Sequence, residues 1–226
     1  MKLIKLTKSI IKFQNNAAEF LNGLTSNTIE AQHNAFITIH GMIIATFDQL
    51  KLSDDEVVAV FEPYTVPGVL SHLDRYMKLS AVKAVPLTKN IYFDLDGDAT
   101  IENGDWKIDQ NKGHLLITDR VLESNVSVDD FTLFRLQHNI PVQGIDYKDD
   151  FLLNVSESTH VSFTKGCFLG QEPIAKVHNR SRPTWKLVVQ YEDECSPEEK
   201  SKMTSKAAYP KSGRMMGFVF VKNSHP

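Results

Sequence analysis

Cys167 lies in the string Lys165-Gly166-Cys167-Phe168-Leu169-Gly170-Gln171-Glu172. A thiolate is a nucleophile, a redox centre or a soft metal ligand, and its surroundings decide how much of it forms. Gly166 precedes the cysteine and Gly170 follows three residues on. Glycine admits conformations and close approaches closed to other residues, so a thiol in such a turn can be presented to solvent. From Lys165 to Lys186 the chain carries five Lys or Arg and one acid, Glu172. One cation about 6 Å from the sulfur, at an effective dielectric near 20, favours the thiolate by roughly 2.8 kcal/mol. That is about two pKa units, enough to bring an ordinary thiol close to neutrality, while desolvation acts the other way. The plain alternative is that Cys167 is a small core hydrophobe.

Other chemistry is sparse. The eight histidines form no HxxH or HxxxH pair, so His160, Cys167 and His178 would make a metal set only by tertiary convergence, and no metal is expected. Cys195 follows Glu192, Asp193 and Glu194, which disfavour a thiolate, and it receives no role. Asp94, Asp96 and Asp98 miss the EF-hand spacing, because Gly97 is misplaced and no Glu closes the loop, and they read as a solvated turn. There is no phosphate-binding glycine loop, nucleophile elbow or HExxH helix. Arg180, Arg182 and Lys186 form either a solvated face or a contact for an anionic ligand tail or acidic partner.

The elements that must position Cys167 are those of an α+β protein. The chain has 226 residues, 42% hydrophobic and 23% charged, with a net charge of −3 and two cysteines. This excludes a disordered chain and a disulfide scaffold, and gives no electrostatic reason for nucleic acid or a membrane surface as partner. No apolar run reaches the roughly 18 residues of a membrane span, and a cytoplasmic setting is expected. Met1–Ser9 is basic but lacks Arg, so it reads as a first strand region rather than a transit peptide. Asn15-Asn16 caps a short helix presenting Ala17, Phe20, Leu21 and Leu24. Residues 35–39 and 42–47 flank His40-Gly41 as a hairpin. Residues 57–87 read as β-α-β, with Thr65 as cap and Pro67 in the first helical turn. Strands follow at Ile91–Leu95 and Leu115–Thr118. Ser127 opens a helix that stops before Pro141. Lys186–Tyr191 and Met215–Val221 read as strands separated by a charged stretch. The expected organisation is a body over 1–183, with a β-α-β lobe near 50–120, and a small β tail or truncated barrel over 184–226. The ligand pocket is expected between lobes.

The string around Cys167 resembles the signature of the YgfZ-type folate-binding proteins, Lys-Gly-Cys-aromatic-x-Gly-Gln-Glu, with every fixed position filled. Ala17–Asn27 is similar to that family's early helix. Arg135-Leu136-Gln137, then Ile140-Pro141 and Gly144-Ile145-Asp146, resemble the helix and loop ahead of the signature. Met203-Thr204-Ser205 and Met216–Val219 look like its closing strands. The resemblance implies a fold related to the glycine-cleavage T protein, a cloverleaf of lobes around tetrahydrofolate. It implies an accessory role in assembling or repairing iron–sulfur clusters, with tRNA-modifying radical enzymes among the clients, and partners that are folate and iron–sulfur proteins. Carried over, Cys167 and Lys165 are the reactive pair, with Gly166, Phe168, Gly170, Gln171 and Glu172 forming the loop. Arg135, Gln137, Arg180 and Arg182 are the candidate folate contacts. Relatives place Glu at the position of Gln137, where a carboxylate grips the pterin edge. An amide there forgoes a charge-assisted pair worth on the order of 1.5–3 kcal/mol. Relatives also often carry Pro-x-Glu where Leu153–Ser156 stands. The alternatives are a T-type aminomethyltransferase and a non-catalytic binding module on the same scaffold.

Overall fold

The computed structural model describes residues 1–156 and 158–223. In chain order the first half runs β1 (Leu3–Leu6), β2 (Ser9–Gln14), α1 (Ala17–Asn22), β3 (His33–Ile37), β4 (Ile43–Lys51), β5 (Glu56–Phe61), α2 (Val66–Ser80) and β6 (Lys83–Leu87). The remainder is β7 (Asn90–Asp94), β8 (Trp106–Asp109), β9 (His114–Thr118), α3 (Val128–Gln137), α4 (Leu152–Val155), α5 (Gln171–Arg180), β10 (Trp185–Tyr191), α6 (Pro197–Lys202), β11 (Thr204–Ala208) and β12 (Met215–Lys222). Three antiparallel sheets form, in the orders β3-β4-β5-β2-β6, β1-β7-β9-β8 and β10-β12-β11.

The chain is α+β, as the patterning implies. The first strand region is two strands, split at Thr7-Lys8 and given to different sheets. β2 lies between β5 and β6 and is antiparallel to both. β5 and β6 therefore run parallel, and the expected β-α-β unit forms with a third strand inserted in it.

β5 shows why this sheet is central. Its run Val57-Val58-Ala59-Val60-Phe61 is buried throughout. Alternate residues face opposite sides of a strand. Val57, Ala59 and Phe61 join Phe13, Phe36, Phe47, Val69 and Leu73 in a core against α1 and α2. Val58 and Val60 join Ile91, Phe93, Ile108 and Leu115 of the four-stranded sheet, with Phe131 and Phe134 of α3 packed on them. A strand buried on both faces reads as an unbroken apolar run.

Local chemistry sets several boundaries. Gly41 takes φ 78 in the hairpin turn, and a Cβ there would lie 2.5 Å from the Phe151 ring. The Ser127 hydroxyl accepts from the Asp130 N–H at 3.0 Å and starts α3. Two expected caps do not form. Asn16 takes a left-handed backbone, with its amide on Glu19, and the Thr65 hydroxyl turns back to the Glu62 carbonyl. Asp94 is not part of a solvated turn. It is fully buried and accepts from the N–H groups of Asp96 and Ala99. The charged stretch near the C-terminus folds into α6, whose start is a reciprocal Ser196–Glu199 capping box. Among the described residues no helix is long and apolar enough to cross a membrane.

Candidate functional site

The motif loop reaches α5 through Gly170. Gly170 has φ 82, and a Cβ on it would lie 2.4 Å from the Thr38 carbonyl oxygen. Only glycine fits that conformation and that approach. Phe168 is buried against Ile37, Ile174 and Leu187, which anchors the loop from below. Cys167 and Gly166 are exposed, so the thiol is presented and is not part of the core. Lys165 turns elsewhere. Its ammonium donates to the carbonyls of Thr25 at 2.9 Å and Asn27 at 2.6 Å, and lies 5.3 Å from the Phe168 ring centroid. Burial pushes this amine down to about 8. Gln171 is half-buried and Glu172 exposed at the start of α5, and Arg180 and Arg182 are exposed at its end.

Of two residues expected to touch folate, one lies away from the central cavity and one on its wall. Gln137 is exposed at the end of α3 and does not line the cavity described below. Arg135 borders that cavity, but its guanidinium is held in a buried ion pair with Asp146 at 2.8 Å. It also donates to the Ile140 carbonyl and the Ser205 hydroxyl. Asp146 in turn accepts from the Thr204 hydroxyl at 2.9 Å. Arg135 is therefore a strut joining α3 to β11.

A cavity of about 330 Å³ lies between the five-stranded sheet, the four-stranded sheet and α3. Its apolar walls include Phe47, Val60, Phe93, Phe131 and Ile140. Its polar wall comes from the β3–β4 hairpin and its neighbours. His33 Nδ1 and Asp48 Oδ1 are 2.8 Å apart, and the Gln110 amide donates to the same oxygen at 3.0 Å. Burial would push the Asp48 carboxyl up. The hydrogen bond and charge of His33, with Lys8 and Gln110, outweigh it and hold the group at about 2. Burial likewise works against a charged His33, but Asp48 and the Asp109 backbone raise it above its ordinary value. The His160 ring centroid lies 5.8 Å from that of His33, and its Nδ1 is 3.0 Å from Ser156 Oγ. Burial first, and then the His33 charge, push His160 down to about 4. The cavity thus sets an imidazole whose proton is favoured beside one whose proton is disfavoured. Lys8 and Glu62 add an ion pair at 2.7 Å. Thr46 links the Tyr147 hydroxyl at 2.6 Å to the Gln143 side chain at 3.2 Å.

Sequence reasoning did not single out His33, Asp48 or Glu62 and treated His160 as an ordinary polar histidine. Cys167 is not among the residues lining this cavity. Among the described residues no group of three His, Cys, Asp or Glu side chains is placed to hold a metal ion.

No protein-family model matches the chain, and no curated protein sequence matches it. Its structure is similar to the crystal structure of the glycine cleavage system aminomethyltransferase T from Bartonella henselae. The TM-score is 0.73 and the identity 12%, over 98% of this chain and 78% of that one. The fold is aminomethyltransferase-like. Likeness at this identity is likeness of fold, and function must be argued from the site.

Proposed function

We propose that the protein binds a reduced folate, tetrahydrofolate or a derivative, in the cavity between the sheets. We propose further that it acts as a YgfZ-type accessory protein for iron–sulfur cluster assembly or repair. The observation that carries this reading is the exposed Cys167 in a complete Lys-Gly-Cys signature, on a scaffold with a ligand-sized cavity at its centre. The cavity suits the cofactor. Phe93, Phe131 and Ile140 supply apolar surface for flat rings. Asp48 and Glu62 each engage protein donors through one oxygen only, so Asp48 Oδ2 and Glu62 Oε2 have no hydrogen-bond partner among the described residues. Two free carboxylate oxygens fit the N–H groups along a pterin edge. In this reading Asp48 and Glu62 replace Gln137 as the pterin contacts. A bound folate would supply carriage of a one-carbon unit.

Cys167 then serves as the contact to clients, ligating a partner's iron or exchanging with a partner's disulfide. Lys165 acts by placing the loop. The test is complementation of a strain lacking its YgfZ-type protein, scored by the activity of an iron–sulfur enzyme such as a tRNA-modifying radical enzyme. The wild-type chain should restore activity and Cys167→Ser should not. Full restoration by Cys167→Ser would remove the thiol from the function. The likeness of fold favours one second reading, a T-type aminomethyltransferase. Methylene transfer from an aminomethylated lipoyl protein would establish it, and absence of transfer would exclude it.

A further inference from the structure

Residues 159–169 form one strip running from the cavity wall to the motif cysteine, and the turn after α1 grips it along its length. Thr159 and His160 line the cavity. The Asn27 amide donates to the Thr159 carbonyl at 3.0 Å, and the Ser26 hydroxyl to the His160 carbonyl at 2.6 Å. Further along, the Ser162 N–H donates to the Ser26 carbonyl at 3.0 Å and the Leu169 N–H to the Gly23 carbonyl at 3.1 Å. Between these two anchors the Lys165 ammonium clamps the carbonyls of Thr25 and Asn27.

The turn itself is firmly held. Thr25 and Ser26 have no exposed surface. Asn34 of β3 donates to Thr25 Oγ1 and the Asn27 carbonyl and accepts from the Asn27 N–H. The tip of the strip is open to solvent, although the Phe163 ring stacks on that of His178. Phe163, Thr164, Gly166 and Cys167 are exposed, and nothing lies within 4 Å of where a Gly166 Cβ would be.

We propose that Gly23–Asn27 is a cradle coupling occupancy of the cavity to presentation of Cys167, with Lys165 as its positioning residue. The inference rests on the folate reading above and adds a regulation to it. A ligand that fixes Thr159 and His160 removes conformational freedom from the strip, and the clamp carries that restriction to the tip. Lys165 acts through backbone carbonyls and not on the sulfur, so it is not a catalytic residue.

The test uses the full chain carrying Cys195→Ser, so that Cys167 is its one thiol. Maleimide alkylation is timed with and without saturating 5-formyltetrahydrofolate, and affinity is measured by calorimetry on the same preparation. Ligand should slow alkylation about fivefold, a coupling of ordinary size. Adding Lys165→Met should reduce the effect below about twofold while the Kd stays within about threefold. Ser26→Ala, a milder change that deletes the hydroxyl contact to the strip and a longer one to the Ala35 carbonyl, should do the same. Ligand that binds without altering the alkylation rate overturns the coupling. So does a full effect retained in both variants, which would mean that the ligand covers the thiol directly. If no reduced folate binds, the folate reading fails and takes this inference with it, a result distinct from binding without coupling.

Discussion

Asp48→Asn is the sharpest probe of the polar wall, because it keeps the side-chain shape and removes the charge that holds His33. The wild-type carboxyl titrates at about 2 instead of 3.8. At 1.36 kcal/mol per pKa unit, that shift corresponds to about 2 kcal/mol of stability. The side chain is 15% exposed, so solvent screens the interaction little. The sign follows from linkage. A depressed carboxyl contributes stability that is present above pH 3.8 and lost as pH falls toward 2. A raised histidine contributes stability that is present below 6.5 and lost as pH rises through its folded value. Both describe one interaction and are not added. Urea denaturation from pH 2.5 to 8 should therefore show the stability difference between wild type and Asp48→Asn at its greatest between about pH 4 and 6.5 and shrinking on either side, while the depressed His160 lowers the stability of both proteins as pH falls below 6.5. Asp48→Asn should lie about 2 kcal/mol lower in that window and converge on the wild type outside it. NMR should show His33 titrating lower in the variant. A stability difference that is absent, or that does not change with pH, would refute the pairing.

Arg135→Ala should destabilise the protein by about 3–5 kcal/mol in denaturant titrations, because it leaves Asp146 buried without its partner. Gly170→Ala should cost at least about 1–3 kcal/mol, from left-handed backbone strain and the clash with Thr38, and should shift the alkylation rate of Cys167. The Lys165 ammonium should titrate near 8 by proton–nitrogen NMR of the side chain, well below the ordinary lysine value of 10.5.

Much of this was legible because short-range rules fix it. The double-sided burial of β5 is written in Val57–Phe61, the turn in His40-Gly41, and the start of α3 in Ser127 and Asp130. A hairpin centred between residues 40 and 41 sets position 33 opposite 48, and the structure pairs them so, but through a bulge between Phe36 and Ile37 that offsets a turn centred on residue 40. The split of the first strand was not legible, for Thr7-Lys8 carries no Gly or Pro to mark it. α5 was hidden because its surface is polar and, apart from Ala175, only Ile174 and Val177 supply an apolar stripe. The glycines around Cys167 left an exposed thiol and a core thiol both open, and the structure presents it to solvent. The role of Lys165 could not be read, because its carbonyl partners lie 138 and 140 residues away in the chain. Arg135 does stand on the cavity wall, but its pairing with Asp146, 11 residues on, depends on a loop that the helix pattern does not specify.

Calorimetric titration of the full chain with 5-formyltetrahydrofolate at pH 7 tests the central claim most directly, with Thr132→Trp as the variant that fills the cavity from α3. A 1:1 isotherm for the wild type, weakened at least about tenfold by the tryptophan, is the predicted result. Absence of wild-type binding, or equal binding by both proteins, would contradict a folate site in this cavity.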